Sequence, residues 1–242
     1  MKYIIVILVF LTALSCSKDK CWNAYGDEIT SEVSLEKSYD SIFIGKGLEV
    51  QLTQDSSNFV EVISGSKIYE NIVVSETENT LRIENENKCN FMRSYDKKTI
   101  VNIHQKTFDY LYLNTEKDLT CTDTIRGERL LIYQEHGGGE MDIKVNCNYL
   151  KIVSYNGSGN FIASGVSDVT EIITRVGAYG DARNLISESM HVTNFSKDDL
   201  LLNFEGANVS VAIHGTGNII YSGTPNSLNY LPFNGVGACL PE

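Results

Sequence analysis

Residues able to do acid–base or nucleophilic chemistry are spread along the sequence and form none of the short motifs of known enzymes. The 242-residue chain has four histidines, 31 acidic residues and six cysteines. It contains no HExxH motif, no P-loop and no Ser/His/Asp order. A polysaccharide lyase or hydrolase would instead need carboxylates that the fold brings within a few ångströms of one another. The elements that position such residues therefore decide whether a catalytic site exists.

One carboxylate-rich set recurs at intervals of twenty residues, namely Glu128, Asn148, Asp168 and Glu188. If the intervening segments are stacked coils, Asp168 and Glu188 are neighbours on a turn, about 4.8 Å apart. Their carboxylates, the Asn148 amide and a backbone carbonyl are oxygen ligands of the kind that Ca²⁺ takes. A solvated corner without a metal is the alternative interpretation, and the residues alone leave both open.

The same twenty-residue interval predicts where the other candidate side chains lie relative to one another. His136 and His214 each precede a corner glycine but lie four coils apart, or about 19 Å, so they cannot share a site. Tyr149, Tyr155 and Tyr179 fall near the predicted corners, where they could stack on sugar rings or pack at the rim.

The stretch "YNGSGNFIASG" (155–165) has the glycine content of a phosphate-binding loop. It lacks the GxGxxG spacing and a following helix, so neither a nucleotide nor any other cofactor is predicted. Gly137, Gly157 and Gly177 are twenty residues apart. Because glycine allows the positive φ angles of tight turns, this spacing predicts a repeated corner.

Alternating segments recur with the same period. Segments that start at residues 110, 130, 150, 170 and 190 align without gaps, and a sixth (211–223) arrives about two residues early. Period-two alternation within segments and period twenty between them predict an all-β solenoid whose strands stack in register. Short alternating segments in the first half of the sequence predict shorter, irregular strands there. No helix is predicted after residue 15. The predicted inward positions are two apolar columns, Tyr112, Ile132, Ile152, Ile172 and Val192, and Tyr110, Leu130, Leu150, Thr170 and Met190.

A polar ladder is predicted on the same strand face near the corner, where its side chains can hydrogen-bond from coil to coil. Its members are Asn114, Gln134, Ser154, Thr174 and Asn194.

The N-terminus predicts export. Residues 1–15 combine a short positive region with a largely apolar stretch too short to span a bilayer, which is typical of a signal peptide. The ending "TALSC" resembles a bacterial lipobox, so Cys16 is the predicted lipidation site and its lipid would hold the chain at a membrane. A plain secreted protein is the alternative. Residues 16–37 are predicted to form a tether and residues 38–242 a single domain.

The net charge and the cysteine content indicate which binding partners and which cellular compartment to expect. The net charge of −11 disfavours nucleic acid and anionic lipid as partners. An oxidising envelope would allow one or two disulfides, but the number of cysteines besides Cys16 is odd and their pairing stays open. These five are Cys21, Cys89, Cys121, Cys147 and Cys239.

Several segments together resemble a known family. They are "YDSIFIGKGLEVQLTQDSSNFVEVISG" (39–65), the corners "NGSGNFIASG" and "HGTGNIIYSGTP", and the final "YLPFNGVGA". Over about residues 38–240 the chain is similar to the head GIN domain family of "putative auto-transporter adhesins". The resemblance implies a right-handed parallel β-helix-like solenoid, with coils of about twenty residues, in a Bacteroidetes-type lipoprotein. The family offers no catalytic residues, and "FSKDD" departs from its pattern where other coils have a glycine corner.

The expected function is therefore a lipid-anchored outer-membrane protein, on the periplasmic or the surface face. It would present an adhesion or ligand-binding surface to glycans or cell-surface proteins, without enzymatic activity. A carbohydrate-active enzyme on a pectate-lyase-like scaffold and a purely structural envelope protein are the alternatives. Ser41 in "DSI" and Thr124 in "DTI" resemble the D-[S/T]-aliphatic motif for O-glycosylation in such bacteria.

Overall fold

The computed structural model describes residues 25–88, 97–157, 159–231 and 234–242. Within these ranges the chain is an all-β solenoid of about six coils, as predicted. A four-residue helix, α1 (Ser66–Tyr69), corrects the prediction of no helix after residue 15. The strands in chain order are β1 (Glu28–Ser34), β2 (Ser41–Ile44), β3 (Glu49–Gln54), β4 (Phe59–Gly65), β5 (Ile72–Glu76), β6 (Thr80–Asn85), β7 (Ile100–Gln105), β8 (Tyr110–Leu113), β9 (Leu119–Cys121), β10 (Ile125–His136), β11 (Met141–Asn156), β12 (Phe161–Thr174), β13 (Gly180–Asn194), β14 (Leu200–Asn203), β15 (Asn208–Ile213), β16 (Ile219–Ser222), β17 (Ser227–Tyr230) and β18 (Cys239–Pro241).

The strands stack into two ladders that share the long strands β11, β12 and β13. The first ladder runs β1-β4-β7-β3-β9-β11-β12-β13-β14-β16-β18. The second runs β5-β6-β2-β8-β10-β11-β12-β13-β15-β17. Each shared strand turns a corner; in β11 the inside–outside alternation slips between Cys147 and Leu150.

The twenty-residue period sets the register of the regular coils. Ile152 pairs with Ile132 on one side and with Ile172 on the other. Equal coil lengths keep parallel strands in phase, so each inward column stays inward and Ile152 is fully buried. The predicted columns are confirmed between residues 130 and 192, with every member at most 1% exposed: Leu130, Ile132, Leu150, Ile152, Thr170, Ile172, Met190 and Val192.

The first predicted coil is out of phase with the rest. The offset between β8 and β10 exceeds the regular period by one residue, since Leu111 pairs with Ile132 and Tyr112 with Tyr133. Leu111 and Leu113 are therefore the buried residues of β8, and the assignment of Tyr110 and Tyr112 to the core columns is wrong.

The last predicted coil is shorter than the others. Val192 pairs with Val211, so β15 arrives one residue early, where the sequence predicts about two.

The polar ladder holds the coils together inside the corner. Gln134, Ser154, Thr174 and Asn194 are all buried. Ser154 donates to the Gln134 side chain at 3.5 Å, and Thr174 donates to that of Asn194 at 2.9 Å. These bonds confirm the ladder over those coils, but Asn114 lies outside it because Leu113 is the residue opposite Gln134.

The glycine corner is also confirmed. Gly157 has φ +144°, and a Cβ built on it would lie 2.3 Å from the carbonyl oxygen of Gly137 in the preceding coil. Glycine is therefore needed at position 157 both for its backbone angle and for the close approach of the two coils.

The N-terminal half is less regular, as predicted. Strands β1, β4 and β7 are antiparallel neighbours, and β5 pairs antiparallel with β6. Strand β1 pairs over its full length with β4, although it falls within the predicted tether. Strand formation therefore reaches into residues 16–37.

Candidate functional site

An aromatic surface covers the outside of the second ladder and consists of Phe43, Tyr110, Tyr112, Tyr133 and Tyr149. These residues alternate with buried core residues along β2, β8, β10 and β11, so their side chains point away from the core. All five are half-buried. Because the strands stack in register, the solenoid itself gathers aromatic side chains that are far apart in the sequence.

Ring stacking within the aromatic surface runs from strand to strand. The centroids of Phe43 and Tyr112 are 5.3 Å apart with an interplanar angle of 14°, and those of Tyr110 and Tyr133 are 5.4 Å apart. The Arg82 guanidinium lies 3.8 Å from the Phe43 ring centroid. Stacking covers part of the ring faces, and the rings stay half-exposed on the outside of the ladder. Such amphipathic side chains are enriched where proteins contact ligands and other proteins.

An ordered polar group borders this surface. The Tyr149 hydroxyl donates to Glu171 at 2.6 Å, and Lys151 forms a 3.1 Å ion pair with the same carboxylate. Burial, followed by this hydrogen bond, raises the pKa of Tyr149 to about 12. Burial disfavours the ionised form of Glu171, but the bonds from Tyr149 and Lys151 outweigh it and hold the pKa of Glu171 below its usual value. These contacts hold the Tyr149 ring in place.

A second row of side chains, the corner stack, lies where β11, β12, β13 and β15 end. It consists of Tyr155, Arg175, Phe195 and His214. The Arg175 guanidinium carbon is 4.8 Å from the centroid of Tyr155 and 4.6 Å from that of Phe195. Phe195 stacks on His214 at 4.5 Å. The corner stack thus places a cation between two aromatic rings, an arrangement with favourable cation–π energy.

Arg175 keeps unused hydrogen-bonding capacity. Its Nε is buried without a hydrogen-bond partner, and no ion pair joins it to a carboxylate within the described part of the chain. Tyr155 and Phe195 beside it are 42% and 37% exposed. A guanidinium can bind a carboxylate or sulfate through the N–H groups of its two terminal nitrogens.

Of the three tyrosines predicted to lie near corners, two belong to the surfaces described above. Tyr149 belongs to the aromatic surface and Tyr155 to the corner stack. Tyr179 directly precedes β13 at the first ladder, and burial raises its pKa, with a smaller contribution from Asp181.

The predicted calcium ligands lie on the outside of the corner. Asn148, Asp168 and Glu188 occupy equivalent positions, because the residues flanking them pair across β11, β12 and β13. All three are exposed. No group of three or more His, Cys, Asp or Glu residues that could hold a metal is found over the described ranges. Calcium binding by these residues stays a prediction.

The modification sites are only partly described. Cys16, Cys21 and Cys89 lie outside the described residues, so lipidation stays a prediction. Cys121, Cys147 and Cys239 are free thiols.

The two predicted glycosylation residues are both half-buried. Ser41 begins β2, and Thr124 directly precedes β10. Their glycosylation stays a prediction.

A histidine–carboxylate pair escaped the sequence analysis. His104 Nδ1 lies 2.8 Å from Asp55, and its ring stacks on Phe59 at 4.1 Å. This hydrogen bond holds the pKa of Asp55 below its usual value. The pair joins β7 to the turn after β3, so no sequence motif signals it. Among the described residues, the His104 ring makes no hydrogen bond to a serine or cysteine nucleophile.

The architecture defines the chain as a β-solenoid, and solved structures share it. A "putative adhesin" from Bacteroides fragilis is 20% identical, with a TM-score of 0.78 over 89% of this chain and 97% of that one. A "putative adhesin" from Parabacteroides distasonis is 15% identical, with a TM-score of 0.65 over 90% and 98%. A "putative lipid binding protein" from the same species is 15% identical, with a TM-score of 0.64 over 90% and 97%. At these identities the likeness shows the fold.

The family follows from the sequence match. The model described as "Putative auto-transporter adhesin, head GIN domain" matches residues 38–225, and the chain belongs to this family. No curated protein matches the chain. Over the described residues, no helix is both long and apolar enough to cross a membrane.

Proposed function

We propose that this protein is a non-enzymatic adhesin of the cell envelope, anchored by a lipid on Cys16 at the outer membrane. The observation that carries the proposal is the aromatic surface, because it gathers five aromatic side chains on the outside of a rigid ladder. A surface built on stacked strands needs little ordering when it binds, which favours affinity. The family description agrees with adhesion.

The chemistry of the aromatic surface and the corner stack suits a glycan with an acidic group. Tyrosine ring edges can contact a polyol, and Arg175 supplies a cation about one strand spacing from Tyr155. Elsewhere the chain is strongly acidic, with a net charge of −11. Arg175 forms no ion pair within the described residues, so an anionic ligand would be attracted to the corner stack.

Binding is tested on immobilised neutral and acidic glycans with the full chain in detergent. The double variant Tyr112→Ser/Tyr133→Ser removes two rings of the aromatic surface, and we expect at least a tenfold loss of affinity. Tyr179→Ser is the matched control, since Tyr179 lies away from that surface, and it should bind as the unmodified chain does. Equal binding by all three proteins, with unchanged melting temperatures, would remove the aromatic surface from the proposal.

The same glycans test the enzyme alternative. The His104–Asp55 pair has no nucleophile bonded to it in the described residues, and His136 and His214 lie about four coils apart, or roughly 19 Å. We therefore expect no release of reducing ends or unsaturated sugars during long incubation. Release that a single carboxylate substitution abolishes would establish a carbohydrate-active enzyme instead.

Lipid is the second ligand class to test, because one structural relative is named a lipid binding protein. The side chains that fill the solenoid, such as Ile132 and Ile152, are fully buried and leave no exposed apolar lining there. A lipid would have to bind on the outside. Competition of glycan binding by neutral vesicles would place both ligands on one surface.

The anchor is tested separately. Cys16→Ala should convert a membrane-bound protein into a soluble or unprocessed one, because the lipid is the proposed attachment. Fractionation of the native host measures this. Membrane association that survives the substitution in a processed protein would refute the anchor without affecting the glycan experiment.

A further inference from the structure

Strands β17 and β18 are the outermost described strands at one end of the solenoid. Strand β17 pairs only with β15, and β18 only with β16, within the described part of the chain. Among the described residues, the outer edges of both strands therefore have free backbone hydrogen-bonding groups. Apolar side chains are exposed in this last coil, with Tyr230 at 54%, Leu231 at 45%, Val236 at 83% and Leu240 at 46%. Natural sheets seldom leave such an edge unprotected.

Strands β17 and β18 at this end carry no charged side chain, and we call it the uncharged end. Between Glu205 and Glu242 the sequence has no Asp, Glu, Lys or Arg, although such residues make up 21% of the chain. A segment of this length would carry about nine of them at the average composition of globular proteins, which is close to a quarter charged. Glu242, at the border of this segment, lies 3.7 Å from Arg183. Charged side chains within an edge strand are a common protection against pairing, and neither β17 nor β18 has one.

The opposite end differs. Its outermost strand β1 carries Glu28 and Glu32, both exposed, and β5 ends in the exposed Glu76. Ten strand spacings separate β1 from β18 along the first ladder, or about 48 Å. The two ends therefore differ in charge, and the charged edge fits the uncharged one poorly.

We propose that the uncharged end docks against the same end of a second copy of this chain, by antiparallel pairing of edge strands across a two-fold axis. A strand edge is self-complementary in this arrangement, and two-fold contacts are the commonest in homo-oligomers. Two chains of net charge −11 repel one another over most of their surfaces. The uncharged end is where they can meet with the least repulsion, because neither edge strand carries a charge.

The proposed dimer contact lies at the end of the solenoid opposite to the N-terminal strand β1. Residue 25 lies beside Gly65 at the β1 end, since Lys67 donates its amide proton to the Tyr25 carbonyl oxygen. The docking end is thus the one farther from Tyr25, the first described residue. A dimer formed there leaves the aromatic surface on the side of each copy, so ligand binding and dimer formation can be measured independently.

The test is the mass of the full chain in detergent by sedimentation or light scattering. We expect a dimer for the unmodified chain and a monomer for Tyr230→Lys/Leu240→Lys, with the association at least tenfold weaker. Val166→Lys/Ile186→Lys is the matched control, because these residues are 46% and 57% exposed on the side of the solenoid. This control should remain a dimer. All three proteins should give the same circular dichroism spectrum.

Hydrogen exchange locates the contact. Amides of β17 and β18 should be protected in the unmodified dimer and exchange faster in the Tyr230→Lys/Leu240→Lys protein. A monomeric unmodified chain, an assembly larger than a dimer, or a dimer that the end variant leaves intact would each overturn the proposal. Equal dissociation by the control would do the same.

Discussion

Replacing Gly157 with alanine should force two adjacent coils apart at the corner. The added Cβ would lie 2.3 Å from the Gly137 carbonyl oxygen and 2.9 Å from its nitrogen. Both atoms are backbone atoms of the preceding coil, so no side-chain rotation can relieve the contact. The substituted residue must also adopt φ +144°, which L-amino acids rarely do.

The magnitude can be separated into two contributions with a second glycine. Gly206 has φ +68°, and a Cβ there would meet no atom within 4 Å. Gly206→Ala therefore measures the cost of a left-handed backbone without a steric contact, about 1–2 kcal/mol, which is a lower bound for the backbone cost at φ +144°. Gly157→Ala adds the overpacking of two coils, which typically costs about 1–3 kcal/mol more. We expect a total of about 2–5 kcal/mol at position 157.

The assay is urea denaturation of both variants, followed by circular dichroism and extrapolated to zero denaturant. Gly157→Ala should lower the free energy of unfolding by clearly more than Gly206→Ala does. Equal losses would refute the reasoning, because the close approach of Gly157 to Gly137 would then have no energetic weight.

Two further predictions concern the core and the outer surface. Ile152→Asp buries an unpaired charge at a fully buried position and should lower the free energy of unfolding by about 4 kcal/mol or more. Lys151→Gln, on the outside of the same strand, should lower it by less than about 1 kcal/mol. Equal thermal melts of the two variants would contradict the inside–outside assignment. Tyr149 has a pKa raised from 10.0 to about 12, so its contribution to stability is complete below pH 10 and is lost as pH rises from 10 to 12. Urea melts across this interval should show that loss, and Tyr149→Phe should reduce it.

The regular coils could be predicted from sequence because hydrogen-bonded parallel ladders require coils of nearly equal length. That constraint makes the spacing of Ile132, Ile152 and Ile172 visible as a period, and all three are buried as predicted. The twenty-residue period does not reveal that the coil between β8 and β10 is one residue longer. In "YLYL" both strand faces are apolar, so the pattern cannot tell which face is inward.

The aromatic surface was missed for the same reason. Tyr110 and Tyr112 satisfy an apolar pattern, and only the observed pairing with β10 turns them outward. Arg175 and Phe195 do sit twenty residues apart, which is a usable signal once the register is known. The His104–Asp55 pair has no such signal, because the N-terminal strands pair over long and unequal separations.

Those unequal separations have a consequence for the order of folding. Ser41 pairs with Tyr110 in a distant part of the sequence, whereas Leu130 pairs with Leu150 in the very next coil. The first pair encloses a segment about three and a half times as long as the second, so closing it costs about 1.1 kcal/mol more chain entropy. Contacts between distant residues slow folding, so β2 and β3 should complete their pairing late. The regular coils can add one after another, each using the previous one as a template, and the N-terminal strands then close onto a ladder that already exists.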